Sequence, residues 1–297
     1  MTSTTPLTAD ALRRMPLPQP AAGSKEGRGQ VLIVAGSVEV PGAALLAATA
    51  ALRAGAGKLQ VATVAGVAPH LGIAVPESMV IGLRETADGG MEHRAAAERL
   101  GPKAERADAV LVGPGMAEGG DATSLTAALL SKAPSRSFAL DAASLVDLQR
   151  HADVVRSCEG RVVITPHAGE MAQLLDRSRE EVEADPLDAA RTASAMLRAV
   201  VIMKGAETQI VDPDGGAWTY AGGGVGLATS GSGDILAGIL VGLLARGAEP
   251  SRAALWAVFL HGDAGARLAR AQGPLGFLAR ELAGQVPAIL RDLEADV

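Results

Sequence analysis

Residues 30–54 read QVLIVAGSVEVPGAALLAATAALRA. An apolar run with β-branched residues at 31–35 leads into a loop holding Gly36, Pro41 and Gly42. Ala and Leu then follow at helical spacing. Strand, loop and helix in this order make one βα unit. The same rhythm recurs outward along the chain. Short apolar runs at 59–63, 79–83, 109–112, 138–140, 162–165 and 200–203 are bounded by Gly, Pro or charge. Ala/Leu-rich stretches such as 43–54, 92–100, 124–130 and 187–197 lie between most of them. Alternation of this kind predicts an α/β fold with a mostly parallel central sheet and helices on both faces. After Lys204 the rhythm changes. Residues 208–212 and 217–221 straddle Asp214-Gly215, a hairpin signal, and helical stretches follow at 233–245, 251–269 and 277–292. Residues 1–24, rich in Thr, Pro and Ala, read as an N-terminal arm with a short helix at 9–15, and residues 25–297 as a single domain.

Composition narrows the function. Hydrophobic residues are 48% of the 297, yet only six are aromatic: two Trp, one Tyr and three Phe. The core must therefore be built from Ala, Val, Leu and Ile, which lets helices pack closely on a sheet. A formal net charge of −6 provides no basic field for nucleic acid. Cys158 is the single cysteine, so no intrachain disulfide or cysteine-rich zinc site can form. No HxxxH or HExxH spacing and no run of about 18 apolar residues occurs, so neither a helical zinc site nor a membrane span is expected. Residues 1–10 lack the basic flank and apolar run of a secretory signal, which makes the cytoplasm the expected compartment.

The strongest local signal is GGGVGLATSGSGD at 222–234, followed at once by the apolar stretch ILAGILVGLL. Glycines expose amides and permit positive φ, and a helix start leaves its first N–H groups unpaired. Gly231, Ser232 and Gly233 therefore form a candidate anion hole. Asp234, in the first turn, either caps that helix or acts as a base beside a bound phosphate. No Walker A string occurs, and no Rossmann fingerprint follows the first strand.

Four weaker signals fall at strand ends, where ligands of open α/β sheets gather. ITPHAGE at 164–170 sets His167 and Glu170 at a helix start; Glu170 satisfying that helix, with an exposed His167, is the plainer alternative. VLVGPG at 110–115 lets a ligand approach the backbone. ALD at 139–141 offers Asp141 to Mg²⁺ or its waters. VIMKGAET at 201–208 places Lys204 before a turn, where a solvated lysine is equally at home. The loop between the first strand and helix reads either as a ligand contact or as an ordinary turn. Cys158 has no evident base nearby. His261 reads as structural, packed between helices, and His70, His93 and His151 as surface residues.

Taken in order, GQVLIVAGS (29–37), PGA (41–43), RAGAG (53–57), GPG (113–115), LD (140–141), TPHAGE (165–170), KGAET (204–208) and GSGD (231–234) define a pattern. It resembles the ADP- or ATP-dependent NAD(P)H-hydrate dehydratases of the ribokinase-like superfamily, from Leu12 to the C-terminal helices. The resemblance implies a repair lyase that dehydrates hydrated NADH or NADPH, driven by cleavage of ADP or ATP through a phosphorylated intermediate. It puts the hydrated dinucleotide near Ala43, Gly115, His167 and Asp234, with Asp234 catalytic. It puts the adenine nucleotide on Lys204, Gly205, Ala206, Glu207, Thr208 and Gly233, and links Glu170, with Asp141, to Mg²⁺. It further implies a homo-oligomer, a tetramer among the assemblies open to it, and a separate NAD(P)H-hydrate epimerase as partner. With only residues 1–24 ahead of the matched core, the epimerase domain often fused there is not expected.

The chain departs from the family pattern in places. DAASL at 141–145 stands where DADAL is usual, Ala168 replaces a proline, Gly224-Val225 replaces Asn-Pro, and Ser230 and Ser232 replace Gly and Thr. Ser232 keeps a hydroxyl. A lost Asp and Asn bear on Mg²⁺ and nucleotide affinity. Two alternatives remain: a small-molecule kinase of the same superfamily, similar to hydroxyethylthiazole kinase, and a nucleotide sensor without catalysis.

Overall fold

The computed structural model describes residues 4–19, 26–117 and 120–294. In chain order the elements are β1 (Thr5–Pro6), α1 (Ala9–Arg13), β2 (Gln30–Val34), α2 (Gly42–Arg53), β3 (Lys58–Val64), α3 (Ala68–Ala74) and β4 (Ser78–Leu83). Then come α4 (His93–Ala104), β5 (Ala109–Val112), α5 (Gly120–Lys132), β6 (Ser137–Leu140), α6 (Ala152–Ser157), β7 (Val162–Ile164), α7 (Ala168–Leu175), α8 (Arg179–Ala184) and α9 (Pro186–Leu197). The last part holds β8 (Val200–Met203), β9 (Thr208–Val211), β10 (Ala217–Tyr220), α10 (Ser232–Ala245), α11 (Pro250–Gln272) and α12 (Ala279–Glu294).

Among the described residues ten strands form one sheet, ordered β1-β10-β9-β8-β7-β6-β5-β2-β3-β4. From β8 to β4 all pairings are parallel, and β9 runs antiparallel to both neighbours. The alternating strand and helix pattern thus yields the parallel sheet expected of it. The hairpin also forms: Ala217 pairs with Val211, and Asp212 Oδ1 accepts the amides of Asp214 and Gly216 to close the turn. Chain order reverses between β2 and β5, so the crevice at their carboxyl ends is a topological switch point, the usual ligand site of such sheets.

Two apolar layers cover the sheet. Val31, Ile33, Val61 and Leu111 face α2, α10, α11 and α12, and their alternates Leu32, Val34, Val110 and Val112 face α4, α5 and α9. This alternation is the period-two signature of strands buried on both faces. The alanine-rich composition has its consequence at α2 and α10. A Cβ at Gly242 would stand 2.7 Å from Ala51 O, and one at Gly238 would strike Ala47 O. Only glycine admits this approach, which brings the N-termini of α2 and α10 side by side. A larger side chain there would cost about 1–3 kcal/mol through overpacking.

The N-terminal segment is tied to this frame. Thr5 and Pro6 add a parallel strand to β10, Leu7, Leu12 and Leu17 are buried, and Trp256 Nε1 donates to Met15 O at 2.8 Å. The boundary expected at residues 24 and 25 lies outside the described residues.

Candidate active site

At the switch point, Gly36 N donates to Pro114 O at 2.7 Å and so holds the β2 and β5 loops together. A Cβ at Gly115 (φ +62°) would stand 2.5 Å from Ala43 Cβ. Ala43 and Gly115, 72 residues apart by their numbers, therefore share one wall.

The next wall is the start of α10. Its N-cap is Gly231 at φ +86°, a left-handed conformation that favours glycine, and no side chain caps it. The sequence reading of the anion hole needs one correction. Ser232 N–H already donates to Thr229 O at 3.2 Å, so its amide is engaged. Among the described residues no acceptor meets the amides of Gly231, Gly233 and Asp234, which makes these the donors available to an anion. Ser232 Oγ lies 2.9 Å from His261 Nε2 on α11. Burial pushes the His261 imidazole down to about 4, so it is neutral at physiological pH. His261 does pack between helices, as the sequence suggests, but its partner is a hydroxyl of the anion-hole turn. Nothing in the local pattern announces that contact.

Asp234 does not cap α10: its carboxylate makes no hydrogen bond among the described residues. Burial, and secondarily the charge of Asp141, push its pKa up to about 6 against the opposing effect of Lys204. A carboxylate poised there is ionised at neutral pH and still basic enough to take a proton.

Beside it lies an ionic cluster built from three strand ends. Asp141, at the end of β6 and only 4% exposed, receives Lys204 Nζ at 2.9 Å and Thr165 Oγ1 at 2.6 Å, both at Oδ1. Glu170 Oε2 is 3.7 Å from the same ammonium. Lys204 is thus no solvated loop lysine. It turns inward and is 22% exposed, while Gly205, Ala206 and Glu207 are exposed and Thr208 begins β9. Burial works against its charge, but Asp141, Glu170 and Asp234 together hold its pKa above the ordinary lysine value. A Cβ at Gly233 would lie 3.7 Å from Lys204 Nζ, which sets that cation beside the anion hole. Thr165, quoted in the sequence motif without a role, is the link that fixes Asp141.

His167 and Glu170 form a reciprocal cap on α7. His167 Nδ1 accepts the amides of Gly169 and Glu170 at 3.0 and 3.2 Å, and Glu170 Oε2 accepts His167 N–H at 2.7 Å. An accepting Nδ1 leaves the ring proton on Nε2, which lies 3.6 Å from Glu170 Oε1 on a side chain 59% exposed. Asp141 and Glu170 converge on Lys204 rather than on an open coordination position. Among the described residues no group of three or more His, Cys, Asp or Glu side chains could hold a metal ion by itself.

A switch-point crevice, a bare helix start and a half-buried carboxylate at that start define a ribokinase-like enzyme. Solved structures agree. An ADP/ATP-dependent NAD(P)H-hydrate dehydratase from Bacillus subtilis, co-crystallised with ATP and Mg²⁺, superposes with TM-score 0.82 at 27% identity, covering 99% of this chain and 100% of that one. A hydroxyethylthiazole kinase from Pyrococcus horikoshii reaches TM-score 0.58 at 19% identity, a likeness of fold alone. The family model described as NAD(P)H-hydrate dehydratase matches residues 31–288, and the chain belongs to that family. The ADP-dependent (S)-NAD(P)H-hydrate dehydratase of Xanthomonas campestris is 49% identical over 290 residues, 96% of this chain and 95% of that protein. A bifunctional NAD(P)H-hydrate repair enzyme from Moorella thermoacetica is 38% identical, and this chain spans 52% of its length. No helix among the described residues is long and apolar enough to cross a membrane.

Proposed function

We propose that this chain is an ADP-dependent lyase, able to use ATP, that returns the S-epimer of hydrated NADH or NADPH to the reduced dinucleotide. The 49% identity to a dehydratase of that name, over nearly the full length of both chains, carries the reading. The kinase alternative rests on a likeness of fold alone, and the free, basic Asp234 speaks against a silent sensor.

Hydroxide is a poor leaving group and phosphate a good one, which explains a nucleotide in a dehydration. Asp234 takes the proton of the ring hydroxyl as its oxygen attacks the terminal phosphoryl group of ADP, and AMP departs. The lone pair of the ring nitrogen then expels phosphate as the C–O bond breaks, and loss of a proton from the neighbouring ring carbon to solvent re-forms the double bond. The amides of Gly233 and Asp234 and the Lys204 ammonium face the charge on the transferred group. Ala43, Gly115 and His167 form the dinucleotide side of the crevice, and residues 204–208 with Gly233 the adenine-nucleotide side. Mg²⁺ suits a nucleotide site through one or two carboxylates plus phosphates and water. Asp141 and Glu170 would hold it through its water shell, where it would neutralise phosphate charge.

The reading extends to a single domain from residue 25 onward, a homo-oligomer, a cytoplasmic setting and a separate epimerase that supplies the S-epimer. Incubation with hydrated NADH and ADP or ATP tests the activity. Recovery of reduced-nicotinamide absorbance, with one AMP and one phosphate per turnover from ADP, is expected. Nucleotide binding without recovery would leave only the sensor.

A further inference from the structure

A cavity of about 510 Å³ opens beside the anion hole, between α2 and the start of α12. Leu45, Leu46, Ile235 and Leu278 give it apolar walls, Ser230 lies on the side of the anion hole, and Arg280 stands at its α12 end. It is continuous with the site in two places. Leu46, in the cavity wall, touches Gly231: a Cβ on that glycine would stand 2.5 Å from Leu46 Cδ1 and 3.8 Å from Asp234 Oδ2. Gly42 lines the cavity while its neighbour Ala43 packs against Gly115 in the crevice. Asp234 itself does not line it, so the reacting ring does not belong there.

We propose that this cavity binds the adenosine half of the hydrated dinucleotide, with Arg280 pairing to its phosphates. The inference rests on the dehydratase reading. A dinucleotide has two ring systems at its ends, and when the hydrated ring is held at Asp234 the planar adenine must lie elsewhere. Leucine walls accept the faces of a purine, and a cavity of this volume suits a nucleoside. Charge points the same way. The chain is net acidic, and Lys204, the cation beside the anion hole, is engaged by Asp141 and Glu170. Arg280 is exposed and makes no hydrogen bond or ion pair among the described residues, which leaves its guanidinium available for a bidentate phosphate contact.

Two variants test this. Arg280→Ala removes an exposed, unbonded side chain, and Leu45→Trp fills the cavity away from Asp234. Probes are NADH and NADPH, the reaction products, followed by their fluorescence, together with reduced nicotinamide mononucleotide and ADP by calorimetry. The mononucleotide lacks the adenosine half. Each variant should weaken both dinucleotides by about tenfold or more, the range of a lost charged hydrogen bond, and leave mononucleotide and ADP binding unchanged. Undiminished dinucleotide binding in both variants would overturn the proposal, and so would equal losses for the mononucleotide or ADP. Turnover by the wild type is scored separately. Active wild type with insensitive variants sinks the cavity assignment alone, whereas a wild type that binds no dinucleotide sinks both.

Discussion

Lys204 Nζ stands 2.9 Å from Asp141 Oδ1, bridging the carboxyl ends of β6 and β8 across the intervening β7. The two charges act on Asp234 with opposite sign, Asp141 raising its pKa and Lys204 lowering it. With Asp234 as the proposed base, kcat/KM should fall as pH drops through about 6. Asp141→Asn removes a negative neighbour and should move that limb to lower pH. Lys204→Met removes the cation and should move it higher. pH profiles of the two variants shifted in the same direction would break the link between this pair and the base.

Asp234→Asn should bind ADP nearly normally and lose about 10²–10⁴-fold in turnover, the usual contribution of a general base. Stability supplies a second reading. The folded pKa of Asp234, about 6, lies above the ordinary aspartate value of 3.8. The protonated side chain thus favours the fold below pH 4, and this contribution is lost as pH rises through 6. The Asn variant should therefore melt above the wild type at pH 7–8, and the gap should close on acidification. A gap independent of pH would mean that Asp234 is not held in this environment.

Lys204→Ala should weaken ADP more than the dinucleotide, because Lys204 lies beside Gly233 and opens the 204–208 turn. It should also cost stability, since Asp141 and Glu170, 4% and 14% exposed, lose a shared cation. Breaking a buried pair costs about 3–5 kcal/mol, and the partial exposure of Lys204 puts this one at or below the lower end. Calorimetry with each ligand separately, beside urea denaturation, measures both effects. Equal losses for the two ligands would remove the nucleotide assignment.

The legibility of these features follows the range of the forces that make them. β2, β5, β6, β7 and β8 are continuous apolar runs because both of their faces are buried, and each ends at a Gly, Pro or charge that turns the chain. Asp141, His167, Glu170 and Lys204 are visible for the same reason, as polar residues just beyond such runs. Partners across the fold are a different matter. Nothing near Lys204 says that its side chain turns inward to a carboxylate 63 residues away, or that His261 meets Ser232 from another helix. Strand β1 is invisible too. Its two residues have no periodicity and are extended only because β10 offers them an edge.

The cap observed at His167 and the dinucleotide contact proposed for it are confounded by one substitution and separated by two. Its Nδ1 accepts the amides of Gly169 and Glu170 at the start of α7, so the ring is an N-cap, and its Nε2–H remains on an exposed edge. Loss of the cap in His167→Ala should cost about 1 kcal/mol. Loss of a neutral hydrogen bond to the dinucleotide should raise its KM by about two- to twelve-fold, the equivalent of 0.5–1.5 kcal/mol. His167→Asn restores an N-cap acceptor but cannot place a donor where Nε2 lies. Stability should therefore return in the Asn variant while KM for the hydrated dinucleotide stays raised, with KM for ADP unchanged in both. Urea denaturation and steady-state kinetics on the three proteins resolve the matter. If Asn restores KM together with stability, His167 serves α7 alone. A defect confined to ADP would place the two ligands on the opposite sides of the crevice from those assigned to them.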